Sequence, residues 1–149
     1  YTAADMTAHL NEQGANLSVD ATTSAWNALL LDLPHERIEL LRKLKKRYRL
    51  YMLSNTNYVH IAEIWRRLET KYGTNPIIDV FDKLYLSYEI GHIKPERDIY
   101  AHLLADAQIQ AHETLFFDDL PANLKGAESL GIHTQLVTKE MGIIELLAE

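Results

Sequence analysis

The sequence has no cysteine. Disulfides, thiolate metal sites and a cysteine nucleophile are excluded at once, and a reducing compartment is compatible with the chain. Glycine and proline are sparse, six and four among 149 residues, so each marks a turn or a helix end and none builds a flexible linker. No apolar run approaches the roughly 20 residues that cross a bilayer. No long basic run is present either, and the formal net charge is −6. Nucleic acid and anionic membrane are therefore not expected as partners. No secretory signal is visible, and a cytoplasmic location is expected. The chain opens at Tyr1 with no initiator methionine, so further sequence upstream is expected. What is there is an ordinary globular balance, 47% hydrophobic and 24% charged, enough to bury a real core in one domain with a small appendage.

The first third reads as helical. Met6 and Leu10 stand four apart before Gly14, and Ala25, Trp26, Leu29 and Leu30 share a helical face. Pro34 then starts a helix running to about Arg47, with Ile38, Leu41, Leu44 and Tyr48 as its apolar stripe. From there short apolar runs alternate with helices. Leu50–Leu53 is a strand ending at Ser54, and Asn57 caps a helix carrying Ile61, Ile64, Trp65, Leu68 and Tyr72. Leu84–Leu86, Leu115–Phe117 and Gln135–Val137 are further strands, with helices opened by Pro95 and Pro121 between them and a short helix at 143–147. This alternation predicts an α/β fold, a Rossmann-like parallel sheet with flanking helices. Ligands of such sheets sit beyond the carboxyl ends of the strands. That rule selects Ser54, the Gly91–Pro95 loop and Asp118–Asp119.

Each of these has a plain reading as well. Adjacent carboxylates at Asp118 and Asp119 repel unless a cation lies near them, and oxygen ligands suit Mg²⁺; alternatively Asp119 merely caps the next helix while Asp118 is exposed. Lys94, just before Pro95, can neutralise a phosphate and a carboxylate, or it is a solvated surface lysine. Ser54 and Asn55, between a strand and a helix, offer a phosphate seat, or ordinary capping. The seven histidines form no i, i+4 pair of the kind that binds zinc, His92 reads as a loop histidine, and Trp26 and Trp65 read as packing residues. The run Arg42–Arg47 reads as a solvated helix face.

The ordered combination is more specific than its parts. Leu53-Ser54-Asn55-Thr56-Asn57, Gly91-His92-Ile93-Lys94-Pro95-Glu96 and Phe116-Phe117-Asp118-Asp119-Leu120-Pro121-Ala122-Asn123-Leu124-Lys125-Gly126-Ala127 resemble the second, third and fourth motifs of the haloacid dehalogenase superfamily. The last stretch is similar to the subgroup that contains bacterial sugar-phosphate phosphatases and the phosphatase domain of soluble epoxide hydrolases. The resemblance implies a partial helical cap over residues 1–32 and the α/β core over 33–149. It implies that Ser54, with Asn55, binds the phosphoryl group of a small phosphorylated substrate. It further implies that Lys94 balances phosphate and carboxylate charge, and that Asp118 and Asp119 hold Mg²⁺. Members of the superfamily attack phosphorus with an aspartate, pass through an aspartyl-phosphate, and use a second aspartate two positions later as acid and base.

That first motif, an apolar strand followed by Asp-x-Asp, has no match here. Asp5 and Asp20 lie in polar helical surroundings, and Asp79 and Asp82 are wrongly spaced. The family's first strand lies between the strands ending at Ser54 and Asp118, so its lack is expected to expose unpaired backbone. The expectation is that the sheet closes by rearranged pairing or is filled from another chain, and that this chain alone is inactive. A magnesium-dependent phosphatase is the leading reading. A true dehalogenase or a catalytically dead binding protein are the alternatives, and a homo-oligomer is compatible with all three.

Overall fold

The computed structural model describes residues 2–147. By contacts the chain divides into two compact units. The first comprises the residues up to Leu50 together with Thr56–Lys83, and the second comprises Tyr51–Asn55 and the chain from Leu84 onward.

The first unit is helical. It holds α1 (Ala3–Glu12), α2 (Val19–Asn27), α3 (His35–Lys45), α4 (Tyr58–Tyr72) and α5 (Pro76–Val80). Caps written into the sequence start them. Thr2 and Asp5 form a reciprocal capping box on α1, Ser18 caps α2 through Ala21 N–H, and the Asn57 side chain accepts His60 N–H at 3.0 Å. Gly73, in the left-handed conformation at φ 75°, ends α4. Ile38, Ile61, Leu68, Pro76, Ile77 and Val80 are buried apolar side chains of this unit. Leu29 and Tyr48, expected on buried stripes, are 73% and 56% exposed. The reason is where the helices stop: α2 ends at Asn27 and α3 at Lys45, so both residues lie beyond the last turn and leave the face that the periodicity projected.

The second unit is the α/β part. It contains β1 (Tyr51–Ser54), β2 (Lys83–Leu86, of which Lys83 belongs to the first unit), α6 (Ser87–Ile90), α7 (Arg97–Ala107), β3 (Leu115–Asp118), α8 (Pro121–Glu128), β4 (His133–Leu136) and α9 (Ile143–Leu146). β3 and β4 are parallel, in a register running from Leu115 opposite His133 to Asp118 opposite Leu136. The ladder continues at both ends, where His133 N–H donates to Thr114 C=O and Val137 N–H to Asp118 C=O, each at 3.0 Å. Ile99 and Tyr100 of α7 pack with Ala127 and Ile132, and Leu53 of β1 and Phe116 of β3 lie against that cluster. Ile99 is fully buried, which is worth about 1.5–3 kcal/mol relative to exposure.

The sheet is in two pieces. β1 pairs with β2 and β3 with β4, and among the described residues no ladder joins the pairs. Of the two expected outcomes, closure by rearranged pairing does not occur among the described residues. Burial follows from this. Every β1 residue is only half-buried, and Leu115 is 52% exposed. A strand covered on both faces would have been buried throughout.

Candidate functional site

Three segments of the second unit meet in one hydrogen-bonded chain. β1 ends at Ser54, and the next residue, Asn55, reaches the backbone of Lys94: its Oδ1 accepts Lys94 N–H and its Nδ2 donates to Lys94 C=O, both at 2.8 Å. Lys94 stands in the turn after α6, where Gly91 at φ 72° terminates that helix, and the Lys94–Pro95 peptide is cis. From there Lys94 Nζ donates to Asp118 Oδ2 at 2.7 Å. The side chains of this pair are 11% and 5% exposed, so solvent does little to screen it. Lys94 Nζ also lies 5.5 Å from the Phe116 ring centre, within cation–π range.

Asp118 is held from three sides. Besides Lys94 on Oδ2, its Oδ1 accepts Leu120 N–H and the Asn123 side-chain amide, each at 2.9 Å. Burial pushes its carboxyl upward, but the hydrogen bonds from Lys94, Leu120 and Asn123 outweigh it and hold the pKa below the ordinary carboxylate value. The anionic form is therefore built into the fold. Asn123, 5% exposed, is fixed in turn by Tyr100, whose hydroxyl donates to Asn123 C=O at 2.7 Å. Burial, with the Asp118 charge second, pushes the Tyr100 phenol up to about 12. Gly126 lets α8 come this close, because a Cβ there would strike Pro95 O and the Tyr100 ring.

The neighbouring Asp119 is exposed. The capping reading fails: the residue before α8 is Leu120, without a side-chain cap, and the buried aspartate is Asp118. The structure thus links Asn55, Lys94 and Asp118 directly, with Ser54 and Asp119 each one residue away along the chain. Among the described residues no group of three or more His, Asp or Glu side chains is assembled to hold a metal. The sequence motifs alone do not single out Asn123. Its place five residues after Asp118, with Pro121 opening the helix, is the pattern that turns its amide back to the strand end.

Residues 4–131 match the haloacid dehalogenase-like hydrolase family. The chain belongs to that family. Among its relatives is the D-ribitol-5-phosphate phosphatase of Bacteroides thetaiotaomicron, 33% identical over 121 residues, which are 81% of this chain and 58% of that protein. The chain therefore spans little more than half of that relative. The bifunctional epoxide hydrolase 2 of Mus musculus is 44% identical over 57 residues, 38% of this chain and 10% of that one. A haloacid dehalogenase family enzyme from Bacteroides thetaiotaomicron, solved as a mutant with magnesium and inorganic phosphate, superposes at a TM-score of 0.91 and 35% identity, covering 100% of this chain and 74% of that one. A predicted haloacid dehalogenase-like family hydrolase from Porphyromonas gingivalis superposes at a TM-score of 0.81 and 31% identity, covering 96% of this chain and 71% of that one. Among the described residues, no helix of this family member is long and apolar enough to cross a membrane.

Proposed function

We propose that the complete protein is a magnesium-dependent phosphatase of small phosphorylated metabolites, in the sugar-phosphate class, working in the cytoplasm through an aspartyl-phosphate. The observation that carries this reading is the buried Lys94–Asp118 pair at 2.7 Å with an exposed carboxylate on the next residue. Lys94 brings its side-chain nitrogen to the strand ends, where the phosphoryl oxygens gather negative charge during transfer. Ser54 donates its hydroxyl to the same group. Asn55 borders this subsite.

The donor chemistry fits Mg²⁺ and narrows the earlier assignment. Asp118 already accepts from Lys94, Leu120 and Asn123, whereas Asp119 is exposed, which favours Asp119 as the direct ligand and Asp118 as the anchor of Lys94. One or two carboxylates suffice, because Mg²⁺ retains waters and takes phosphate oxygens as further ligands. When bound, the ion offsets charge on the phosphoryl group. The nucleophile comes from an apolar strand ending in Asp-x-Asp, outside these 149 residues, that inserts between β1 and β3. Their separate pairing supports this: two sheets of one unit each present an edge that a further strand would satisfy.

The test is phosphate release by the complete protein from a panel of small phosphate monoesters, polyol and sugar 5-phosphates included. Turnover of at least one ester, with this chain alone inactive, is the expected result. A complete protein inert toward the whole panel would overturn the reading.

A further inference from the structure

Asn55 is exposed at the end of β1, where a polar side chain is well placed to touch a ligand, yet its amide is spent on backbone. One carboxamide accepts the N–H and donates to the C=O of the same residue, Lys94. A neighbouring strand makes this same pair of bonds with a residue in an antiparallel ladder. It fixes both peptide planes flanking the Cα from which the lysine side chain departs. The turn has few other restraints of its own: Pro95 has no N–H, and the backbone bonds nearby are Gly91 N–H to Ser87 C=O and Glu96 N–H to Ile93 C=O. The ammonium of Lys94 then sits on Asp118, 24 residues further on.

We propose that Asn55 is a positioning residue, whose side-chain amide clamps the Lys94 backbone so that the Lys94 ammonium is presented jointly to Asp118 and to the phosphoryl group, and is not itself spent on substrate. Asparagine suits the task because it carries donor and acceptor on one short, planar group. Aspartate keeps only an acceptor, and glutamine sets the same amide one methylene too far out. The ligand in this inference is the phosphate of the proposed function, and the clamp itself is a matter of backbone hydrogen bonding.

The experiment measures amide hydrogen exchange at Lys94 by NMR on the complete protein, and the affinity for inorganic phosphate with Mg²⁺ on the same samples. Asn55→Ala is expected to speed exchange of the Lys94 amide about tenfold, the loss of one hydrogen bond. The Val137 amide, bonded to Asp118 C=O, stays unchanged as a check on the fold. Asn55→Asp, which retains the acceptor, keeps the Lys94 amide protected. Phosphate affinity falls several-fold in Asn55→Ala and no further when that change is added to Lys94→Met. Unchanged exchange in Asn55→Ala, equally fast exchange in Asn55→Asp, or full additivity with Lys94→Met would each overturn the proposal. Wild-type protein that binds no phosphate would count against the functional reading alone, and the exchange comparison would still decide the clamp.

Discussion

Lys94→Met removes one partner of the Lys94–Asp118 pair while keeping most of the apolar stem. The side chains are 11% and 5% exposed, so the lost ammonium leaves Asp118 as a buried anion with two neutral donors, Leu120 N–H and Asn123 Nδ2. Breaking a buried pair on one side costs about 3–5 kcal/mol. The two surviving hydrogen bonds place this case near the lower end, about 3 kcal/mol, or on the order of 6–12 °C in Tm for a chain of this size. The penalty depends on pH. In the wild type the Asp118 pKa is lowered despite burial, so its contribution is present above the unfolded carboxylate pKa, about 3.9, and is lost as pH falls through the lower folded value. Without Lys94, burial meets less opposition and the Asp118 pKa rises. Protonation then relieves the variant as the medium acidifies, and the gap between the two proteins narrows from pH 7 toward pH 4. Urea unfolding at both pH values measures it. A gap under about 1 kcal/mol, or one equal at the two pH values, refutes the claim that Lys94 compensates a buried charge.

Three further outcomes follow from the same network. Asn123→Ala removes a 2.9 Å bond to Asp118 and costs about 1–3 kcal/mol in urea unfolding; a neutral result would mean that water replaces the amide without loss. Gly126→Ala drives a methyl into Pro95 O and the Tyr100 ring, an overpacking cost of about 1–3 kcal/mol, and circular dichroism melts should show Tm lowered by several degrees. Tyr100 keeps its proton to about 12, so stability attributable to it is intact below pH 10 and is lost as pH rises toward 12. Tyr100→Phe should flatten that alkaline decline, and an unchanged slope would show that the phenol titrates normally.

The order of the three motifs was readable because each follows an apolar run and precedes a helix-opening proline or a cap. β1, β3, α4 and α8 accordingly begin and end within a few residues of where the pattern puts them. Side-chain commitments were less legible. Two adjacent aspartates look equivalent in sequence. Strand alternation and the turn toward α8 bury Asp118 and expose Asp119, which divides them into an anchor and an open carboxylate. Asn55 looks like a ligand-facing residue until the turn after α6 brings the Lys94 backbone beside it. The short helices α5 and α6, five and four residues long, carry too few turns to show a period. The two-piece sheet was not legible either, because pairing between strands is non-local by nature.

In the proposed function Asp119 is the carboxylate open to a divalent cation while Asp118 serves Lys94. The most direct measurement is hydrolysis of an aryl phosphate by the complete protein across a Mg²⁺ titration, for wild type, Asp119→Asn and Asp118→Asn, with urea stability of each. The account predicts that Asp119→Asn raises the Mg²⁺ needed for half-maximal activity at least tenfold with stability almost unchanged, whereas Asp118→Asn lowers stability as well. Activity without Mg²⁺, or an Asp119→Asn protein with the wild-type Mg²⁺ dependence, would contradict it.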